Sequence, residues 1–177
     1  MKELSKNAKS AIIISTIFVL AIVFLSFFAI GRSNKAIEAF EMSETIRPKF
    51  GTASVSIIPK GEENPKVFFE VEVAKTPEER SYGLSFVKSL PEHKGMIFLY
   101  NIPNKASFWM KNTFIPLDII FVDENMEITQ IKRSAKPHDE SIVTSEKNIV
   151  AVLEINARLA RKLGIKSGDK VVIDYNK

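Results

Sequence analysis

The chain contains no cysteine, and this absence removes several kinds of chemistry at once. Disulfides, thiol nucleophiles and cysteine-based zinc sites are all excluded. Histidine is scarce as well, since His93 and His138 are the only two, and both lie in polar stretches without ligand-like spacing. No phosphate-binding loop, dinucleotide fingerprint or nucleophile elbow is present. We therefore expect neither a metal site nor a cofactor.

A strong excess of one charge is also missing from most of the chain. Residues 51–177 contain 18 Lys+Arg and 17 Asp+Glu, so their net charge is 18 − 17 = +1. Residues 1–50 contain 7 and 4, so theirs is 7 − 4 = +3. Domains that bind nucleic acid normally present a basic face. The charge distribution therefore predicts that nucleic acid is not a partner.

The N-terminal part contains one long hydrophobic run, residues 11–30, with no charged residue and only Ser15, Thr16 and Ser26 as polar side chains. A helix of this length spans roughly 30 Å, the thickness of the hydrocarbon core of a bilayer. A cleaved signal peptide is the main alternative, because Ala29 and Gly31 have the spacing of a cleavage site. Signal sequences, however, have shorter hydrophobic regions of about 7–15 residues. We interpret the run as a retained transmembrane anchor.

Lysines before the run predict its orientation through the positive-inside rule. Arg32 and Lys35 follow the run, and three lysines precede it: Lys2, Lys6 and Lys9. Residues 1–10 are accordingly predicted to be a cytoplasmic tail, residues 31–50 a juxtamembrane stem, and residues 51–177 a folded domain outside the cytoplasm.

Strand patterns dominate that domain. In residues 67–73, Val67, Phe69 and Val71 point one way while Glu70 and Glu72 point the other, as in a strand with one wet face. Comparable patterns predict further strands at residues 52–58, 96–100, 107–111, 117–122, 127–132, 149–155 and 170–174. The sequence thus predicts many short strands in one sheet.

Two short helices interrupt the strands. Thr76 and Glu79 form a capping-box pattern with Pro77 at the first helical position, and Gly83 lies where that helix should end. Asn156 is predicted to cap the second helix, which Gly164 terminates. Two helices among about eight strands predict an α+β fold with a curled or barrel-like sheet.

Several motifs of the domain resemble one known family. They are Thr76-Pro77-Glu78-Glu79-Arg80, Gly83-Leu84, Leu90-Pro91, Gly95-Met96-Ile97-Phe98, Phe108-Trp109-Met110-Lys111-Asn112-Thr113, Ile115-Pro116-Leu117-Asp118 and Gly164-Ile165-Lys166-Ser167-Gly168-Asp169. Together they are similar to domain-of-unknown-function family 192, also called uncharacterised protein family 0127. The resemblance implies a small β-rich α+β fold, commonly behind a signal or anchor segment in prokaryotes, and it implies no activity.

The most specific of these motifs contains the first candidate site. Alternation along residues 107–111 places Phe108 and Met110 on one face and Trp109 and Lys111 on the other. In one interpretation Trp109 merely shields the edge of the sheet. In the other, Trp109 and Lys111 line an exposed groove, where a tryptophan offers the contact area that binding sites favour.

Polar residues after this strand extend the candidate site. Asn112, Thr113 and Asp118 bracket a turn, where such side chains usually satisfy backbone groups. Together with Lys111 they would instead form a polar constellation able to hold an anionic or sugar ligand. Arg80 is the remaining candidate, because a cation in the first turn of a helix is unfavourable and calls for an ion pair, for which we expect Asp118.

These features favour a binding or accessory domain at the cell envelope for a peptide, a glycan or a protein partner. An enzyme acting on an envelope polymer is an alternative, with Lys111 and Asp118 as its first suspects. A structural subunit of a membrane complex is another. No catalytic residue is assigned by any motif.

The hydrophobic run leads to a direct test of location. The full-length chain should sediment with membranes and resist alkaline carbonate washing, because about twenty apolar residues are held by the bilayer core. Cell fractionation followed by blotting measures this. Recovery of the chain at its uncleaved mass in the supernatant would contradict the anchor.

Overall fold

The structure, a computed structural model, describes residues 47–175. The predicted anchor, residues 11–30, lies outside the described residues. The unit that contains the sheet runs Pro48–Lys177. Among the residues described, no helix is both long enough and apolar enough to cross a membrane.

The described part of the chain contains nine strands and two short helices. In chain order they are β1 (Gly51–Ile58), β2 (Val67–Ala74), α1 (Pro77–Tyr82), β3 (Lys94–Asn104), β4 (Ser107–Phe108), β5 (Leu117–Val122), β6 (Ile128–Ala135), β7 (Val143–Thr144), β8 (Ile149–Asn156), α2 (Leu159–Lys162) and β9 (Lys170–Tyr175).

Seven of the strands form one sheet with the order β6-β5-β8-β3-β2-β1-β9, while β4 and β7 pair separately. Only β2 and β3 run parallel among the neighbours of the large sheet. Its two edges approach each other where Glu127 bridges to Lys170 and the Val171 N–H donates to the Met126 carbonyl at 2.8 Å. The sheet therefore curls into a half-barrel, and the predicted strand-rich α+β domain with two short helices is confirmed.

Two apolar cores lie on opposite faces of this curled sheet. The inner core collects alternate residues from the large sheet, among them Val55, Phe69 and Leu153. The outer core lies on the other face of β3, β5 and β8 and contains Phe98 and Phe121. Residues from the segments that connect the strands cover this face, including Leu84, Ala106, Met110 and Ile115.

Gly95 permits the close approach of β3 and β8. A Cβ atom added at Gly95 would lie 2.5 Å from the Glu154 carbonyl oxygen, which is a backbone atom without freedom to move aside. Glycine is therefore needed at this position, where β3 and β8 lie closest together.

Two local predictions are wrong. The strand predicted at residues 107–111 ends at Phe108, because the Met110 N–H donates to the Asp139 carbonyl at 2.8 Å and leaves the ladder. The second helix is not capped by Asn156, whose side-chain amide donates instead to the Leu90 carbonyl at 2.8 Å. Arg158 takes the N-cap position in a left-handed conformation, with φ 69°.

Burial of β8 predicts a large loss of stability on truncation. Leu153 is fully buried in the inner core, so Leu153→Ala should lower the free energy of unfolding by about 2–5 kcal/mol through lost burial and a cavity. Urea denaturation measures this. Ile102→Ala, at a side chain that is 74% exposed, serves as the control. A loss below about 1 kcal/mol at Leu153 would contradict a central position for β8.

Candidate functional site

Residues Trp109–Thr113 follow β4, and we call them the Trp109 corner. They pack against the outer core through Met110. Phe108 anchors the corner, since its ring centroid lies 5.2 Å from that of Phe98 and 5.8 Å from that of Phe121. Met110 is buried beside it. Trp109 points the other way and is 54% exposed, as the alternation of the sequence predicts. The corner therefore presents an indole between a partly buried Phe108 and a buried Met110.

Lys111 shares the exposed face with Trp109. Its Nζ atom lies 5.9 Å from the centroid of the indole, within the range of a cation–π interaction. Such contacts at exposed sites contribute about 0.5–1 kcal/mol. The two side chains thus form a surface that is aromatic and positively charged.

Asn112 gives the corner its shape. The Thr113 N–H donates to the Met110 carbonyl at 3.1 Å, which closes a tight turn, and Asn112 occupies its third position with φ 57°. Its carbonyl accepts the Phe86 N–H at 2.8 Å, and Phe86 itself has φ 64°. Left-handed backbone at a residue as bulky as phenylalanine costs about 1–3 kcal/mol and concentrates at functional segments.

A shallow groove of about 540 Å³ adjoins the corner at Asn112. It runs between α1 and the turn around Phe86 and is lined by Pro77, Glu78, Ser81, Tyr82, Ser85, Phe86 and Asn112. The Phe86 ring packs edge-on against Phe114, with 6.0 Å between centroids. Asn112 therefore joins the surface of Trp109 and Lys111 to the groove.

Thr113 stabilises the corner from within. Its side chain is 6% exposed, and its carbonyl accepts the His138 N–H at 3.2 Å. The hydroxyl points toward the Lys111 carbonyl at 3.5 Å, which is a long contact. Thr113 thus supports Lys111 from the buried side and offers no exposed hydroxyl.

Asp118 does not join the candidate site. Its side chain is fully buried, and its two carboxylate oxygens accept the Ser134 N–H at 2.8 Å and the Ala160 N–H at 3.0 Å. These bonds tie β5 to β6 and to the start of α2. Asp118 therefore satisfies buried backbone groups, the first of the two interpretations, and does not join a polar constellation with the exposed Lys111.

Arg80 does not pair with Asp118 either. Its Nη1 atom donates to the Leu99 carbonyl at 3.0 Å and also to the Lys75 carbonyl. The guanidinium lies 4.8 Å from the centroid of the Tyr100 ring. Two carbonyls and an aromatic face thus replace the expected carboxylate, and they connect α1 to β3.

Glu154 is the residue that sequence reasoning missed. It lies on β8 opposite Met96 of β3 and Ile119 of β5, and it is only 5% exposed. Burial raises the pKa of Glu154 to about 8. The pKa of Tyr100 is also raised, mainly because its phenol is buried. The positive charge of Arg80 acts against this rise, and the negative charge of Glu154 adds to it. The sequence did contain a signal for this site, because Glu154 is an acidic residue within the otherwise apolar run of β8.

The two histidines contact different aromatic rings. The His93 ring lies 6.3 Å from that of Phe69, whereas the His138 ring lies 5.1 Å from that of Phe114. Between residues 47 and 175, no group of three His, Asp or Glu side chains is arranged to hold a metal ion.

Comparison with known proteins identifies relatives of the whole domain. The sequence model of DUF192, described as "Uncharacterized ACR", matches residues 58–173. A protein of unknown function from Novosphingobium aromaticivorans DSM 12444 is 44% identical with a TM-score of 0.64, covering 67% of this chain and 83% of its own. A proposed transcription regulator from Sinorhizobium meliloti 1021 is 30% identical with a TM-score of 0.67. The match covers 71% of this chain and 96% of the Sinorhizobium chain. A comparison with curated proteins gives no match.

The raised pKa of Glu154 predicts a pH-dependent stability. Ionising this buried carboxyl opposes folding, so the cost is absent below the ordinary pKa of 4.5 and complete above about 8. Glu154→Gln should therefore be more stable than the original domain at high pH, by on the order of a few kcal/mol above pH ~8, with the advantage shrinking toward pH ~5.

Urea denaturation of both proteins across this pH range measures the difference. Glu124→Gln, which removes a carboxylate from an exposed turn, is the matched control and should show no such trend. A pH-independent difference between Glu154→Gln and the original chain would contradict the burial of an ionisable carboxyl at this position.

Proposed function

Since this chain belongs to the DUF192 family of uncharacterized proteins, for which no activity is implied, we propose its function from geometry. It is a membrane-anchored binding domain that captures a peptide segment of a protein partner outside the cytoplasm. The observation that carries this proposal is the exposed Trp109 indole, which lies beside Lys111 before a tight turn that is hydrogen-bonded to Phe86.

The rigidity of the Trp109 corner supports a binding role. Phe108 and Met110 are fixed in the outer core, and the turn at Asn112 is bonded to Phe86. An aromatic side chain on a rigid base loses little conformational entropy when it binds. Tryptophan is also among the residues that contribute most at protein interfaces. An exposed tryptophan on a flexible segment would lose more conformational entropy on binding and would be weaker evidence for a binding site.

The surroundings of Trp109 favour a peptide over a glycan. The adjoining groove has two aromatic side chains, Tyr82 and Phe86, and Glu78 as its single charged residue. An extended peptide could place one side chain on the indole and the next in this groove. Glycan sites use planar polar side chains to bind the hydroxyl groups of sugars. Among the described residues of the groove and the corner, such side chains are Glu78 and Asn112.

The enzymatic alternative loses its main support. Its first suspects were Lys111 and Asp118, and Asp118 is buried with both carboxylate oxygens accepting hydrogen bonds from backbone N–H groups. Regulation of transcription, the role proposed for the Sinorhizobium protein, is not favoured here because residues 51–177 have almost no excess positive charge, 18 − 17 = +1.

Anchoring rests on the sequence of residues 11–30 and on the lysines before it. A tethered domain meets its partner at a raised local concentration, so even a modest interface suffices. The small contact area of one corner and one groove is in keeping with such a tethered interaction.

Removing the indole should weaken partner capture. The full chain would be purified from cross-linked membranes, and the bound proteins quantified by mass spectrometry. Trp109→Ala should reduce the main partner by at least about tenfold, since a central aromatic contributes about 2 kcal/mol or more. Its unfolding free energy should change far less than that of Leu153→Ala.

Phe68→Ala provides the matched control, because Phe68 is an aromatic residue of β2 that is 59% exposed. Capture should be unchanged in that variant. Equal capture by Trp109→Ala and the original chain would contradict the proposal, and so would unfolding of Trp109→Ala, since Trp109 would then be a structural residue.

A further inference from the structure

The last strand of the large sheet has a free edge along most of its length. On one side, β9 pairs with β1 over all of its residues. On the other side, the Val171 N–H donates to the Met126 carbonyl at 2.8 Å, beside the antiparallel bridge of Glu127 with Lys170. Among the residues described, no further backbone bond leaves β9 on this side. The edge is therefore free from the Val171 carbonyl to the end of the strand at Tyr175.

The direction of the Val171 N–H determines which backbone groups face the free edge. In an antiparallel strand, the N–H and C=O of one residue point to the same side, and successive residues alternate between the two sides. Because Val171 faces away from β1, Ile173 and Tyr175 face away from β1 as well. The edge thus offers the Val171 carbonyl, both backbone groups of Ile173 and the Tyr175 N–H, which is the pattern that templates another strand.

A largely apolar cavity of about 760 Å³ lies against this edge. Its lining includes Val171 and Ile173 of β9 and also Met126, the last residue that bonds to β9 on this side. Ala151 and Val171 are buried members of the inner core, and Leu99, Met126 and Ile173 pack against that core. Water that bonds to the free edge must therefore also wet apolar walls, which is unfavourable.

An extended peptide is the ligand whose chemistry matches both the edge and the cavity. Its backbone supplies the N–H and C=O groups that continue an antiparallel ladder. The residue opposite Ile173 would lie on the same face of the sheet as the Ile173 side chain, which packs against the inner core. That residue would direct an apolar side chain into the cavity. A lipid chain would fill the cavity but would leave the edge unpaired.

A second copy of this chain matches the cavity less well. Edge-to-edge pairing of two β9 strands would satisfy their backbone groups. However, Val171 and Ile173, the side chains that such a strand would direct inward, are already packed in the inner core of their own copy. A segment with an unoccupied apolar side chain is therefore the better occupant.

We propose that the free edge of β9 binds an extended peptide segment of another protein by antiparallel β-augmentation, with one apolar side chain of that segment held in the cavity. The cavity lining shares no residue with the Trp109 corner or with the groove beside it. This site is therefore separate from the Trp109 corner and does not depend on the function proposed for it.

Binding of a designed peptide to the full chain in lipid nanodiscs tests the site. The probe is a fluorescein-labelled peptide, Thr-Leu-Thr-Leu-Thr-Leu-Thr, whose binding is followed by anisotropy with empty nanodiscs as the blank. In the proposed ladder the leucines point inward and their N–H groups face β9. N-methylation of the leucines should therefore raise the Kd at least about tenfold. N-methylation of the inner threonines, whose N–H groups face away, should change it by less than about threefold.

Hydrogen exchange followed by mass spectrometry locates the bound peptide. The segment that contains the Ile173 and Tyr175 amides should exchange more slowly when the peptide is present. The amides of β6, the other edge of the large sheet, should not change.

A pair of variants at Ile173 separates the backbone bond from the side chain. Ile173→Pro removes the central N–H of the proposed ladder, and proline is tolerated at an edge position whose N–H has no partner in the sheet. Ile173→Ala keeps that N–H and is the matched control. It should bind the peptide at least about tenfold more tightly than Ile173→Pro.

Equal binding by the two methylated peptides would overturn the proposal without recourse to any variant. Protection of the Ile173 amide in the chain alone that is lost on dilution would also overturn it, since a second copy would then occupy the edge. Protection confined to the Trp109 corner would do the same, because the peptide would then bind elsewhere.

Discussion

The central strands β3, β5 and β8 must be covered on both faces, and the remainder of the domain is arranged around this requirement. Curling the sheet encloses one face within the inner core. The other face is covered by the segments after β2 and β3, which bring Leu84, Met110 and Ile115 onto Phe98 and Phe121. The connecting segments are therefore part of the folded core, although they contain little regular secondary structure.

This double burial explains why the candidate surface is rigid. The Trp109 corner projects from a segment whose main task is to cover the outer face, so Phe108 and Met110 cannot move without exposing apolar area. The left-handed backbone of Phe86, whose N–H donates to the Asn112 carbonyl, persists because the surrounding contacts determine it. The same arrangement buries Glu154, which lies on the covered face of β8 and would have been exposed in a sheet with one open side.

The sequence predicted the strands of the large sheet well because their alternation records which face is buried, and it predicted α1 because its capping box is a local signal. It also predicted that Trp109 and Lys111 are exposed, although the strand that carries this alternation ends at Phe108. It could not place Asp118 or Arg80, whose partners are backbone groups of distant segments. The prediction for Asn156 was wrong for a similar reason, since its side-chain amide donates a hydrogen bond to the carbonyl of Leu90, which is distant in the chain.

The pairing of β1 with β9 has a consequence for biosynthesis. Ala53 lies beside Tyr175, so the first strand of the domain finds its outer neighbour only when the last one has been made. Contacts of such long separation require the closure of a large loop and slow the search for the folded state. Until β9 has been made, β1 remains an unpaired edge of the sheet, and the half-barrel cannot close.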